Sequence, residues 1–367
     1  MRFGKSSCLP SEFLELSPFL YADDKYWIPE NRDLLRFLFS ADHKYFEKNK
    51  VWLSAVDKKA RLCGFFNPDL LINNKKAAYF GFWETIDELK VNKKLFLDFE
   101  NWAKAQRAQV IYGPINFNTF HSYRIRLGLK KHEGCFLGEP YNPSYYEEIL
   151  QNLGYNCDEK YVSYSSNESF KELLRQMATN KEHMLYDFEK GELELKSFNK
   201  DTWLKNLEKI YHLVDSIFKD NFGYSKISVN NFCKELGLPL AKKLCPKTSL
   251  FAEDKNKNIV AIALNFPDYS PLLRNGNKNK LSLVNISFDE HFGLLKKPLM
   301  LGKTGGVCKN YRKGGLLSAL AIEAMCRGVK SYSDVMICLM REKNPIVKFS
   351  RPFATNIRQY GLFAKSV

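Results

Sequence analysis

One stretch of the chain carries residue types whose spacing could do chemistry. In "GGVCKNYRKGGLLSALAIEA", Gly305 to Ala324, a glycine pair ends an apolar run, a basic turn follows, and Gly314 and Gly315 lead into a strongly apolar segment. The first turn of a helix presents unpaired backbone N–H groups and the positive end of the helix dipole. Glycine ahead of it lets an anion approach the backbone without a side chain in the way, so the stretch fits a phosphate site to which Lys309, Arg312 and Lys313 add charge. An ordinary tight turn with a glycine hinge is the competing reading, and two glycines do not decide between them. Thiol and metal chemistry find less support. The nine cysteines are scattered, with no C-x-x-C pair and no Cys/His cluster at ligand spacing, so neither a disulfide framework nor a metal is expected. His121, His132 and His291 sit among loop-like residues, and none has a partner at a telling distance along the chain.

The elements that must position the glycine turn show the periods of a mixed α and β protein. At 367 residues the chain has room for about two domains. The first part predicts helices over "SEFLELSPFLYADDKYW" and "DLLRFLFSADHKYFEK", then strands over "VWLSAVD", "ARLCGFF" and "AAYFGFWET". A helix carrying Leu95, Phe96, Phe99 and Trp102 at helical spacing comes next, then a strand "VIYGP" and a short helix opened by Asn142-Pro143. The second part repeats this order: strand "ELELKSF", one amphipathic helix "DTWLKNLEKIYHLVDSIF" capped by Asp201, a helical stretch "VNNFCKELGLPLAKKL", and strands "SLFAED", "IVAIALNF" and "PLMLGKTGGV". The glycine turn and its helix follow, then a strand "DVMICLM", a short helix near Asn344 and a last strand "YGLFAKS". The repeat places a boundary near residue 165, with domains 1–165 and 166–367.

Charge and targeting signals bound the partners. The net charge is +15, and between Lys296 and Arg351 twelve Lys and Arg face three acids. Such a field suits a phosphate-bearing ligand, an acidic carrier protein or nucleic acid, and the pattern alone does not rank them. No apolar run approaches the ~18 residues of a membrane-spanning helix, and the N-terminal residues lack the apolar core of a secretory signal, so a soluble cytoplasmic protein is the expectation.

The turn itself has a likeness. Arg312-x-x-Gly315 after the strand end "GGV", leading into a buried helix, resembles the acyl-CoA pyrophosphate loop of the GNAT (Gcn5-related N-acetyltransferase) superfamily, with Leu317 where a small residue is usual. Asn344 resembles the asparagine that commonly follows the next strand. "SPFLYADDKYWIP", "YFGFWETID", "YGPINF", "YNPSYYEEILQNLGY" and "NFPDYSPLL" are similar to a bacterial branch of long proteins built of two GNAT-like halves. The resemblance implies an α+β fold of two such halves, each a mixed, mostly antiparallel twisted sheet flanked by helices. It also implies acetyl-CoA or another acyl-CoA as co-substrate and an N-acyltransferase acting on a small-molecule amine.

Carried onto this sequence, the resemblance makes Gly305, Gly306, Val307, Arg312, Lys313, Gly314, Gly315, Leu316, Leu317 and Asn344 the cofactor-binding set. Leu301 to Val307 would line the pantetheine. The superfamily's proton-donating tyrosine, about seven residues beyond the asparagine, is replaced here by Arg351, and Tyr360 is its substitute in the same region. Asp268 in "NFPDYS" is the candidate base, or a turn-former; Asn118, His121 and Tyr123 are candidates for the acceptor pocket. The first half reads as degenerate, because Asp87 and Glu88 stand where phosphates would sit. The alternatives are a carrier-protein-dependent acyltransferase, for which an acidic acyl carrier protein is the partner, and a GNAT-fold binding protein without catalysis. An aminoacyl-tRNA-dependent transferase would need a long helical hairpin, and the sequence predicts none. Neither a membrane nor a nucleic acid is an expected partner.

Overall fold

Alternating and fully apolar runs of two to thirteen residues form the strands, and the helical-period segments between them cover the two faces of one sheet. The computed structural model describes residues 2–4, 8–43, 45, 48–129, 133–180, 188, 192–274, 281–312 and 314–367. The first half runs β1 (Arg2–Phe3), α1 (Ser11–Leu20), α2 (Arg32–Leu38), β2 (Lys50–Val56), β3 (Ala60–Ile72), β4 (Lys75–Thr85), α3 (Leu89–Ala105), β5 (Val110–Gly113), β6 (Ile125–Leu127), α4 (Tyr146–Asn152) and β7 (Asn156–Ser166). The second runs α5 (Glu168–Asn180), β8 (Leu193–Ser197), α6 (Lys200–Lys205), α7 (Leu207–Phe218), α8 (Val229–Leu236), α9 (Leu238–Ala241), β9 (Leu250–Asp254) and β10 (Ile259–Pro267). It continues with α10 (Ser270–Leu273), α11 (Phe288–His291), β11 (Leu299–Val307), α12 (Leu316–Gly328), β12 (Asp334–Arg341), α13 (Pro345–Ser350) and β13 (Ala354–Ser366).

The strands join in one sheet in the order β1-β2-β3-β4-β5-β13-β7-β12-β11-β10-β9-β8, with β6 beside β13. Neighbours are antiparallel except for one parallel pair in each half, β4 with β5 and β11 with β12. The last strand of each half is exchanged: β7 lies against β12, β13 lies against β5, and the two pair with each other at the centre. Each half is covered in the same way. α1 and α2 pack with Phe65, Phe82 and Phe117 on one face of the first half, and α3 and α4 pack with Phe80, Phe96 and Phe99 on the other. In the second half α6 to α9 cover Ile262, Leu264 and Leu301, while α12 covers Ala261, Ala263 and Val307 on the opposite face.

Several expectations change. The single helix from Asp201 is two helices, α6 and α7, broken at Asn206, whose side-chain amide donates to the Thr202 carbonyl at 2.8 Å. Its cap is Asn199, because Thr202 stands at the third helical position and completes a reciprocal capping box, whereas Asp201 lies in the first turn. α4 begins at Tyr146, three residues past Pro143. β7 and α5 were not predicted, and β13 starts at Ala354, well before Tyr360. Among the described residues, no helix is long and apolar enough to cross a membrane.

Candidate functional site

In the second half the parallel pair comes apart just before the glycine turn. β11 and β12 pair only from Leu299–Asp334 to Gly302–Ile337. Beyond that point β11 follows β10 as far as Val307, and β12 follows β7 as far as Arg341. A bulge marks each side of the divergence. Lys303 is the extra residue of β11, and Cys338 and Leu339 face the single Ser163 of β7, with Leu339 at φ +57°. Bulges of this kind end pairing and re-aim the strand.

The widening gap runs toward the start of α12. Gly315 caps that helix at φ +82°, preceded by Gly314 at φ +99°, in the left-handed region that favours glycine. A Cβ on Gly315 would meet nothing within 4 Å, and no side chain caps the helix. Among the described residues the amides of Leu316, Leu317 and Ser318 have no hydrogen-bond acceptor, and Gly314 and Gly315 are exposed. Lys309 and Arg312 are exposed beside them, with Arg312 Nε donating to the Val307 carbonyl at 3.2 Å. Lys313 lies outside the described residues, as does His132.

The other residues of the cofactor set have packing roles. A Cβ on Gly305 would lie 3.1 Å from Leu317 Cδ1, and one on Gly306 would lie 2.7 Å from Ile217 Cγ2. Gly305 therefore makes room for Leu317, the residue that departs from the motif, and Gly306 lets α7 close on the opposite face. Val307 and Leu316 are buried in one apolar cluster, which fixes where α12 starts. Asn344 caps α13, its Oδ1 accepting the Ile346 N–H at 3.1 Å.

First-half residues close over this gap. Lys303 Nζ donates to the carbonyls of Leu137 at 3.2 Å and Gly138 at 3.0 Å, and burial pulls its ammonium below the usual lysine range. Arg124 donates to the Leu339 carbonyl at 3.1 Å. The two acid–base candidates belong to the same buried region, and both are engaged there. Asp268 accepts the N–H groups of Leu137 (2.8 Å) and Ser270 (3.0 Å) and the Ser270 hydroxyl (2.9 Å). Burial pushes its carboxyl above the usual range despite these donors. Tyr360 is 0% exposed and donates to Glu139 at 2.5 Å. Glu139 also holds Arg358 at 2.5 Å and accepts the Phe136 N–H at 3.0 Å.

The first half has a parallel divergence with different contents. β4 and β5 pair only over Ala77–Val110 to Tyr79–Tyr112, and β4 then bulges at Phe82, φ +48°. A cavity of about 80 Å³ lies beyond, lined by Glu30, Arg61, Glu84, Tyr123, Arg124 and Tyr146 among others. Glu84 accepts hydroxyl hydrogen bonds from Tyr21 and Tyr146, each at 2.8 Å. Burial pushes its carboxyl up to about 7, against the pull of Arg61. The sequence did not single out Glu84, because its partners lie 63 and 62 residues away along the chain. α3, which follows, starts behind the exposed carboxylates of Asp87 and Glu88. Tyr123 lines this cavity, with the Arg124 guanidinium 3.7 Å from its ring centre. Asn118 is buried and accepts the Phe120 N–H at 2.9 Å, and His121 turns toward Glu235 of α8.

No family model matches the chain, and no curated protein matches it in sequence. Solved structures do match. A tandem GNAT protein from the clavulanic acid biosynthesis pathway aligns over 97% of this chain and 94% of its own, with TM-score 0.50 and 9% identity. A conserved protein of unknown function from Enterococcus faecalis V583, described as a probable N-acyltransferase, aligns over 100% of this chain and 72% of its own, with TM-score 0.53 and 9% identity. The fold is the tandem GNAT fold. In each GNAT half the parallel strand pair, its divergence and the helix between the two strands recur at matching places, β4-α3-β5 and β11-α12-β12. The second GNAT half opens its helix with glycine, the first with acids.

Proposed function

We propose that the protein is an acyl-CoA-dependent N-acyltransferase whose donor site is the divergence of β11 and β12. The observation that carries this is the alignment of two features. Two parallel strands part after Gly302 and Ile337, and the gap leads to a helix start with left-handed glycines, two exposed cations and amides that have no acceptor among the described residues. Those amides suit a diphosphate, and strand edges freed of pairing suit the amides of a pantetheine arm. Bound acyl-CoA would supply a thioester carbon open to attack. The attacking amine nitrogen forms the new C–N bond, the C–S bond breaks, and the departing sulfur takes up a proton. The tandem GNAT neighbour, solved without AcCoA, and the other neighbour, described as a probable N-acyltransferase, support the reading.

Calorimetric titration of the full chain with acetyl-CoA and longer acyl-CoA thioesters tests it. Saturable binding is expected in the wild type, and Gly315→Val, which puts a branched side chain at φ +82° among the amides, loses it. Absence of binding by every thioester overturns the reading. If binding occurs only when the acyl group is on an acidic carrier protein, the basic surface between Lys296 and Arg351 is the docking face.

A second reading is favoured by the first-half cavity. A carboxyl with a pKa of about 7 is half ionised at neutral pH, as a general base for an ammonium requires. If the acceptor amine binds there, Glu84→Gln removes transfer while acetyl-CoA binding persists. A GNAT-fold binding protein would bind acyl-CoA and release no thiol with any amine of a broad panel.

A further inference from the structure

A cluster of His43, His121 and Glu235 belongs to neither divergence. His43 ends the short helical turn Ala41–His43 after α2, His121 lies in the loop after β5, and Glu235 is on α8. Two residues of the first half thus meet one of the second. His43 Nε2 is 2.6 Å from Glu235 Oε1, and His121 Nε2 is 2.9 Å from Glu235 Oε2. One potential ligand atom from each of the three residues lies within 4.8 Å of the other two. His43 is 1% exposed and packs near the rings of Phe37, Tyr45 and Phe117.

The surrounding hydrogen bonds fix how these groups face one another. Asn118 Oδ1 accepts the Phe120 N–H at 2.9 Å, so the atom 3.1 Å from His121 Nδ1 is an acceptor and Nδ1 carries the ring proton. The neutral ring then has its lone pair on Nε2, beside a carboxylate oxygen. That nitrogen is buried and, among the described residues, not aligned for a hydrogen bond with any partner. Two electron-rich atoms at 2.9 Å repel unless a cation, a second ring proton or a metal ion, lies between them. His43 Nδ1 is likewise buried without a partner among the described residues, and the ring's polar contact there is through Nε2 to the same carboxylate. His121, whose far nitrogen is held by the Asn118 oxygen, has the usual setting of a metal ligand.

We propose that His43 Nε2, His121 Nε2 and one oxygen of Glu235 bind a divalent first-row transition ion, with Zn²⁺ the best match, and a fourth position open to water. Two neutral imidazoles and a carboxylate are ligands that Zn²⁺ accepts in tetrahedral sites. Metal–ligand bonds of about 2.0–2.2 Å put ligand atoms roughly 3.3–3.5 Å apart. Glu235 therefore draws back by about 0.4–0.9 Å as the ion enters, and the His43 ring proton moves from Nε2 to Nδ1, so that both neutral rings turn an Nε2 lone pair to the ion. The ion fastens α8 of the second half to two loops of the first. The sequence could not show this, because His43 and Glu235 are 192 residues apart. The proposal is independent of the acyl-transfer reading.

The test uses the full chain, freed of any purification tag and dialysed against a chelator, then titrated with Co²⁺ and afterwards Zn²⁺. Expected are one Co²⁺ per chain with the intense visible absorption of a four-coordinate site, its displacement by Zn²⁺, and a thermal midpoint that rises with Zn²⁺. Glu235→Gln and His121→Gln each weaken Co²⁺ binding at least tenfold, with circular dichroism confirming the fold; if one variant fails to fold, the other carries the comparison. No Co²⁺ uptake by the wild type, or uptake unchanged in a folded variant, overturns the proposal. In the first case the contact is an imidazolium–carboxylate pair alone.

Discussion

Tyr360 and Glu84 show what burial does to single groups. Tyr360 donates to Glu139 without any exposure, so Tyr360→Phe leaves a buried carboxylate short of one donor. The expected cost is roughly 1–3 kcal/mol, read as a lower urea midpoint at unchanged m. Loss of acyl transfer with stability unchanged would instead assign its proton to the reaction. Glu84 holds its proton up to a pKa of about 7 in the folded chain. Its unfolded value is about 4.3. Between those values the folded state binds more protons, so this group makes stability fall as pH rises and has no further effect above the window. The total change is roughly 3–4 kcal/mol. Glu84→Gln removes that slope, and urea unfolding of both proteins at pH 5 and pH 8 measures it. The glycine turn at Gly315 and the helix it opens could be read from sequence, since a turn and its helix are neighbours in the chain. Glu84 could not, because what raises its pKa is burial created by distant segments.

At the scale of elements, the approach of α12 to β11 depends on one residue pair. Gly305→Ala forces Leu317 Cδ1 off a Cβ at 3.1 Å and destabilises the chain, and Leu317→Ala on the same background restores part of the loss. A double-mutant cycle with a coupling of about 0.5–3 kcal/mol is expected, and additivity would show that the two residues do not share the contact. Gly306→Val is more severe, because Ile217 lies at 2.7 Å on a buried face of α7. β10, β11 and α12 were legible because their apolar runs and helical period are local. β7 was not: "NCDEKYVSYSS" opens with charges and closes with serines. Its burial comes from lying between β12 and β13, where Ser163 Oγ accepts the Leu339 N–H at 2.7 Å.

The whole molecule is tied together by the exchanged strands. β13, from the end of the chain, completes the sheet of the first half, and β7 does the same for the second. Residues 1–167 and 168–367 expressed separately are therefore each short of a central strand and are expected not to fold alone, whereas co-expression restores one complex. Calorimetry of the intact chain should give one cooperative transition; two independent transitions would show that the halves are energetically separate.

The sequence by itself determined most of the order of helices and strands, β7 and α5 excepted, the two-half plan, and the glycine turn before α12, because propensity, period and turn chemistry act between near neighbours. Only the tertiary structure decided that the last strands cross over, that Tyr360 and Asp268 are held in a buried network, and that a carboxyl in the first half titrates near neutrality. Strand partners and burial are set by contacts between segments far apart in the chain, and no local pattern encodes which of several compatible edges a strand will join.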